Sequence, residues 1–97
     1  MRRLIAVLVV HRAELGRFRD YERAAARIMA KHGGAIEHAY ELAGDGETLR
    51  ELHVVRFPSD EAFDAYRVDP ELAAHAADRA LAVISTEIWP VMELPPY

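Results

Sequence analysis

Residues 4–10 read LIAVLVV, a continuous apolar run rich in β-branched side chains, which is the pattern of a strand buried on both faces. The period then changes. Between residues 14 and 34, Phe18, Tyr21, Ala25, Ile28 and Met29 recur at helical spacing among arginines and acids, and Gly33-Gly34 supplies a C-terminal stop. Residues 35–42, AIEHAYEL, alternate as a strand, with Ile36, His38, Tyr40 and Leu42 expected on one face. Asp45-Gly46 is a favoured pair for a tight hairpin turn, and residues 49–57, LRELHVVRF, form the returning strand. Pro58-Ser59 ends it. Ser59 is a suitable N-cap for a short helix over 61–68, and Asp69-Pro70 starts another that is expected to run to about Ile84. Residues 85–94, STEIWPVMEL, read as a last strand whose internal Pro90 confines it to a sheet edge or a bulge.

The order is βαββαβ, with no repeat and no linker. It predicts one α+β domain over residues 1–97 of ferredoxin-like type, a four-stranded antiparallel sheet with both helices on one face. In the usual strand order of that arrangement, 4-1-3-2, the last strand lies at an edge, as Pro90 requires. Two helices cover only one face of such a sheet. Yet the first strand is apolar in both directions, and the last sets Ile88 and Met92 against Trp89 and Val91. A second copy packed face to face over that patch is expected, its sheets enclosing a shared apolar interior as in a dimeric α/β barrel; the tail ELPPY folded across the patch is the monomeric alternative.

A two-residue turn at Asp45-Gly46 would set Leu42 opposite Leu49, Tyr40 opposite Glu51, His38 opposite His53 and Ile36 opposite Val55. His38, Tyr40, Glu51 and His53 would then form neighbouring cross-strand pairs ~5 Å apart at Cβ. One extra loop residue would undo this, because a one-residue slip exchanges a strand's faces. A Glu–His pair beside a tyrosine suits proton abstraction from a carbon acid or protonation of an enolate. Two imidazoles and a carboxylate are also a plausible metal set, and a wet hairpin rim of mutually bonded side chains is the plain alternative. Among the other candidates, Arg56 is placed to steer an anionic substrate and His32 to complement the helix dipole. His11 ends the first strand.

Composition narrows the classes. The 97 residues are 52% hydrophobic, somewhat above the ordinary level, which favours a partner. A net charge of −4 without a basic stripe argues against nucleic acid. There is no cysteine, hence no disulfide and no thiolate metal site. The apolar run at 4–10 is too short to span a bilayer and no small-residue cleavage site follows, so a soluble cytoplasmic protein is expected.

FRDYERAAARIMAKHGG followed by ELHVVRFPSDEAFDAYRVDPEL resembles the dimeric α/β-barrel superfamily, and most of all its small bacterial one-domain members of unknown function. The resemblance spans roughly residues 3–94. It implies the fold and the homodimer, but not one reaction, because that superfamily hosts many. EAFDAYRVDPELAAHA is similar to a motif of antibiotic-biosynthesis-type monooxygenases in which an aromatic and a downstream helix histidine line the cavity; those fall on Tyr66 and His75. The haem-degrading members carry an asparagine in the first strand and a tryptophan where Tyr66 stands, and this chain has neither. Three functions follow as expectations. The first is a cofactor-independent enzyme (isomerase, cyclase or lyase type) holding a hydrophobic or polyketide-like molecule, with His53 as acid–base residue, Glu51 orienting it, and His38 and Tyr40 on a substrate oxygen. The others are a cofactor-free monooxygenase of phenolic compounds using Tyr66 or His75, and a non-catalytic dimer that binds a hydrophobic molecule.

Overall fold

Strand β1, Arg2–His11, runs through the middle of the sheet, which explains its unbroken apolar run. Leu4, Leu8 and Val10 are buried on one side and Ile5, Val7 and Val9 are half-buried on the other. The computed structural model describes residues Met1–Tyr97. Helix α1, Leu15–Lys31, buries Phe18, Tyr21, Ala24, Ala25, Ile28 and Met29, the stripe read from its period. It ends where Gly33 takes φ 74°. There Gly34 N–H bonds Met29 O and Gly33 N–H bonds Ala30 O, each at 3.0 Å, a Schellman closure that a side chain at Gly33 would strain. Strands β2, Ala35–Leu42, and β3, Thr48–Phe57, follow, then the short helices α2, Asp60–Arg67, α3, Pro70–Ala73, and α4, Ala76–Ala82, and strand β4, Val83–Val91. The sheet order is β2-β3-β1-β4 with every pairing antiparallel, the expected ferredoxin-like order, and Pro90 lies on the edge strand. No helix is long and apolar enough to cross a membrane.

Two expectations about local structure fail. The helix expected to run to Ile84 is broken at Ala74-His75, where His75 N–H bonds Leu72 O in a tight turn, and it ends at Ala82 because Val83 already pairs with Val10 in the sheet. The hairpin also departs from a two-residue turn. Residues 43–47 form a wider loop that Arg12 ties down, its side chain bonding Gly46 O at 3.0 Å and Thr48 O at 3.3 Å. Leu42 therefore faces Arg50, Tyr40 faces Leu52, Ala39 faces His53 and His38 faces Val54. A bulge at Glu37 restores the register, so that Ile36 does face Val55. The bulged Glu37 is gripped on the open face by Arg3 at 2.8 Å and Arg56 at 3.6 Å, and the Arg3 hydrogen bond holds its carboxyl below the usual carboxylate range.

The core forms two clusters rather than one. Leu8, Val10, Phe18, Ala82 and Val83 pack at one end, and Leu4, Met29, Val55 and Phe57 at the other, with Phe63 and Tyr66 against the second. Between them, under the helices, the sheet is not filled. On the opposite face Trp89 remains 58% exposed and Val91 37%, beside the half-buried Ile5, Val7, Leu52 and Val54. The tail does not cover that face, since Leu94 and Tyr97 are themselves exposed.

Candidate functional site

The space between the two core clusters is a cavity of about 500 Å³, within the usual range of small-molecule sites. Its floor is the helix-covered face of the sheet and its roof comes from α1, α2, α3 and α4. Most of its lining is apolar; the polar groups are Tyr21, Glu22, His53, Tyr66, Arg67, Arg79 and Thr86. His53 is the titratable element of the floor, beside the hydroxyl of Thr86. It comes from β3, whose alternation buries Leu49, Glu51, His53, Val55 and Phe57 together on this face. Only 4% of His53 and 8% of Glu51 is exposed.

His53 is held on both sides. Its Nε2 lies 2.9 Å from Glu51 Oε1, and Glu51 Oε2 lies 3.2 Å from an Arg19 guanidinium nitrogen. An ionised carboxylate only accepts, so the short bond calls for a proton on Nε2, and in the neutral ring the lone pair is then on Nδ1. Nδ1 faces Glu22 Oε2 at 3.7 Å, too far for a hydrogen bond but close enough for strong electrostatic coupling. Burial pushes the Glu22 carboxyl above the ordinary glutamate range; the nearby His53 opposes this and Glu51 adds to it. The row Arg19–Glu51–His53–Glu22 thus alternates charged and protonatable groups from the protein's edge into the cavity. The His53–Glu22 end is the common wall between the main cavity and a shallower groove of about 300 Å³ that Glu51 and Arg19 line from outside.

Tyr66 of α2 packs its ring 5.4 Å from that of Phe57, and burial pushes its hydroxyl far above the ordinary tyrosine range. Tyr21 shifts the same way, again through burial, against the pull of Arg79. Both phenols therefore remain protonated donors at neutral pH. The roof is anchored by Asp69. It caps α3 through a 2.8 Å bond from Glu71 N–H, while its other oxygen lies 2.7 Å from His32 Nε2 and 3.0 Å from Lys31 Nζ at the end of α1. His32 is the largest of the influences that bring the Asp69 carboxyl down to about 2.

Of the residues singled out from sequence, His53, Glu51 and Tyr66 meet at this cavity and its wall. His38 and Tyr40 do not join them. The register shift turns both to the open face, where their rings stack 6.2 Å apart and Tyr40 is 55% exposed, although Tyr40 still borders the shallower groove. A metal set made of His38 and His53 is excluded for the same reason. Arg56 lies on the open face with Glu37, and His75 sits in the turn before α4, outside the cavity lining. The polar cluster also lies under the helices of one chain, not in the space between two facing sheets. Glu22 and Arg79 were not read as site residues, and Tyr21 was read only as a core position of the first helix. For Glu22 a signal was present: a carboxylate four residues after Phe18 and seven before Met29 falls on the buried stripe of α1, where an acid needs a reason.

No protein-family model and no curated protein matches the sequence. Solved structures do. SnoaB, a cofactor-independent oxygenase from Streptomyces nogalater, is 18% identical, with a TM-score of 0.64 over 99% of this chain and 97% of that one. A putative antibiotic biosynthesis monooxygenase from Nitrosomonas europaea is 12% identical, with a TM-score of 0.75 over 98% and 100%. An uncharacterized NIPSNAP domain protein from Burkholderia xenovorans is 12% identical, with a TM-score of 0.70 over 97% and 95%. At such identities the likeness is one of fold: this chain shares with these three structures a ferredoxin-like fold, a four-stranded antiparallel sheet with helices on one face.

Proposed function

We propose that the chain is a small acid–base enzyme acting on an apolar carbon acid held between sheet and helices. One observation carries this reading: a buried histidine, oriented by Glu51 through one nitrogen, presents its other nitrogen to Glu22 at the polar end of a 500 Å³ apolar cavity. His53 Nδ1 takes a proton from a carbon beside a carbonyl, and the resulting imidazolium is stabilised by Glu51. Glu22 is the acid that returns a proton, at the same carbon or a conjugated one, and it recovers that proton from the facing His53 Nδ1, which resets both groups, while the Tyr66 hydroxyl donates to the enolate oxygen. Proton return at a different carbon is an isomerisation, and attack of the enolate on a second carbonyl is a cyclisation.

The fold shared with SnoaB favours a second reading, in which the same base deprotonates a phenol that then reacts with oxygen. The two readings separate in one experiment. Deuterium exchange into a panel of cyclic ketones and 1,3-diketones is followed by NMR in D2O, and oxygen uptake is recorded with dihydroxynaphthalenes. The acid–base reading expects exchange that His53→Ala abolishes in a folded protein. Exchange unchanged in His53→Ala, or absent across the panel, overturns it, and His53-dependent oxygen uptake selects the oxygenase.

We further propose that the open sheet face, centred on Val7, Leu52, Val54 and Trp89, packs against a second copy. A face of that apolarity on a sheet only 16 Å thick with its helices has nothing of this chain to cover it.

A further inference from the structure

Arg79 is a cation without an ion-pair partner, whereas six of the eleven arginines have one. It projects from α4 into the cavity lining, half-buried, and its guanidinium donates to the Thr86 hydroxyl on β4. That bond and the neighbouring Tyr21 hydroxyl engage part of the five N–H donors and orient the fork, while no carboxylate lies within ion-pairing distance. The carboxyl whose charge reaches it, Glu22, is turned towards His53. Arg67, the other cavity arginine without an ion pair, differs in kind. It lies over the Phe63 ring at 5.3 Å and is exposed, so it marks the rim rather than the interior.

Resting on the reading of this cavity as a ligand site, we infer that the ligand is an apolar, ring-bearing monocarboxylate whose carboxylate is taken by Arg79. Its ring lies among Phe63, Tyr66 and the apolar floor, and its reactive carbon faces His53. A half-buried guanidinium held in one plane by a neutral hydroxyl recognises a planar carboxylate in two-point fashion, which an ammonium or a lone hydroxyl donor does not reproduce. The arrangement also separates tasks. The cation binds the end of the ligand that does not react, and the Glu22–His53 pair handles the proton, so the fixed positive charge orients the molecule without competing for the transferred hydrogen.

The test compares 2-naphthoate with its neutral counterpart 2-naphthalenemethanol by titration calorimetry on the intact protein. The wild type is expected to bind the carboxylate about tenfold or more tightly than the alcohol, as a charge-assisted pair confers. Arg79→Met keeps the aliphatic stem, so it should bring the two probes within about twofold of each other while leaving the alcohol's affinity in place. Arg79→Lys retains the charge without the fork and should keep part of the preference, which secures the test if the Met variant is poorly folded. Arg67→Met should keep it in full. Equal binding of both probes by the wild type, binding of neither, or a preference that survives in Arg79→Met or disappears in Arg67→Met overturns the proposal. Because the readout is binding, a protein that shows the Arg79-dependent preference but exchanges no C–H proton supports this inference while removing the acid–base reading. His53→Ala should lose exchange and keep the preference.

Discussion

The Glu51–His53 pair is expected to cost the fold stability relative to apolar side chains, and this can be measured by replacing it. Glu51→Leu removes the acceptor of a 2.9 Å bond at a site where the two side chains are only 11% and 6% exposed. The His53 Nε2–H is then buried without a partner. Removing one member of a buried pair costs about 3–5 kcal/mol. At 3 kcal/mol, the thermal midpoint of a domain this size falls by about 12 °C or more, and the urea midpoint by ~1 M or more. His53→Leu should do comparable damage by leaving Glu51 with Arg19 alone. The double variant Glu51→Leu/His53→Leu replaces both groups with apolar side chains and should match or exceed the wild type in stability, as buried pairs exchanged for hydrophobic residues often do. Glu22 then loses both the histidine that lowers its carboxyl and the smaller upward contribution of Glu51, so its carboxyl rises on balance and recovery should be fuller at acidic than at alkaline pH. The assay is a double-mutant cycle by urea unfolding at fixed protein concentration, with C–H exchange measured in parallel. The double variant is expected to be stable and inactive. If the double variant is clearly less stable than the wild type, the pair holds the fold together and the functional reading of its burial is wrong.

Other outcomes follow from the same geometry. Alanine at His38 or Tyr40 should leave C–H exchange within about twofold of wild type, since both residues lie on the far face of the sheet; a large loss would contradict the observed register. Gly34→Ala should destabilise by ~1–3 kcal/mol in chemical unfolding, because its Cβ would stand 2.5 Å from Phe57 Cε1 and 2.7 Å from Met29 Cγ. Asp69 titrates in the fold near 2, below its unfolded range, so the stability it adds is complete above about pH 4 and disappears as pH falls towards 2. An Asp69→Asn protein should lack that part of the acid transition. Trp89→Glu should shift the sedimentation coefficient to that of a single chain if the open face joins two copies.

Much of the fold could be read from residue order, because each signal has a local cause. Helical spacing from Phe18 to Met29, the Gly33-Gly34 stop and Pro90 at an edge all report backbone preferences that hold in any context. That Glu51 and His53 share a face with Leu49 and Val55 followed from period-two alternation within one strand; that the face is buried did not. What lay across the hairpin did not. The alternation of AIEHAYEL is the same whether or not Glu37 is bulged, and the bulge is stabilised by Arg3 and Arg56 from other strands. The loop at 43–47 is held by Arg12, distant in sequence. Such tertiary ties move His38 and Tyr40 away from His53 without leaving a trace in the local pattern. Glu22 was open to discovery as an acid on a buried stripe; Arg79 was not, because its place depends on where α4 begins after the break at His75.

The central claim is that His53 keeps a proton on Nε2 towards Glu51 and a lone pair on Nδ1 towards the cavity. Long-range proton–nitrogen correlation on protein labelled at histidine nitrogen reports both directly. The account predicts the Nε2–H tautomer for His53, and a change at Nδ1 when 2-naphthoate is added. A proton resident on Nδ1, or a ring whose nitrogens do not respond to the ligand, would contradict it.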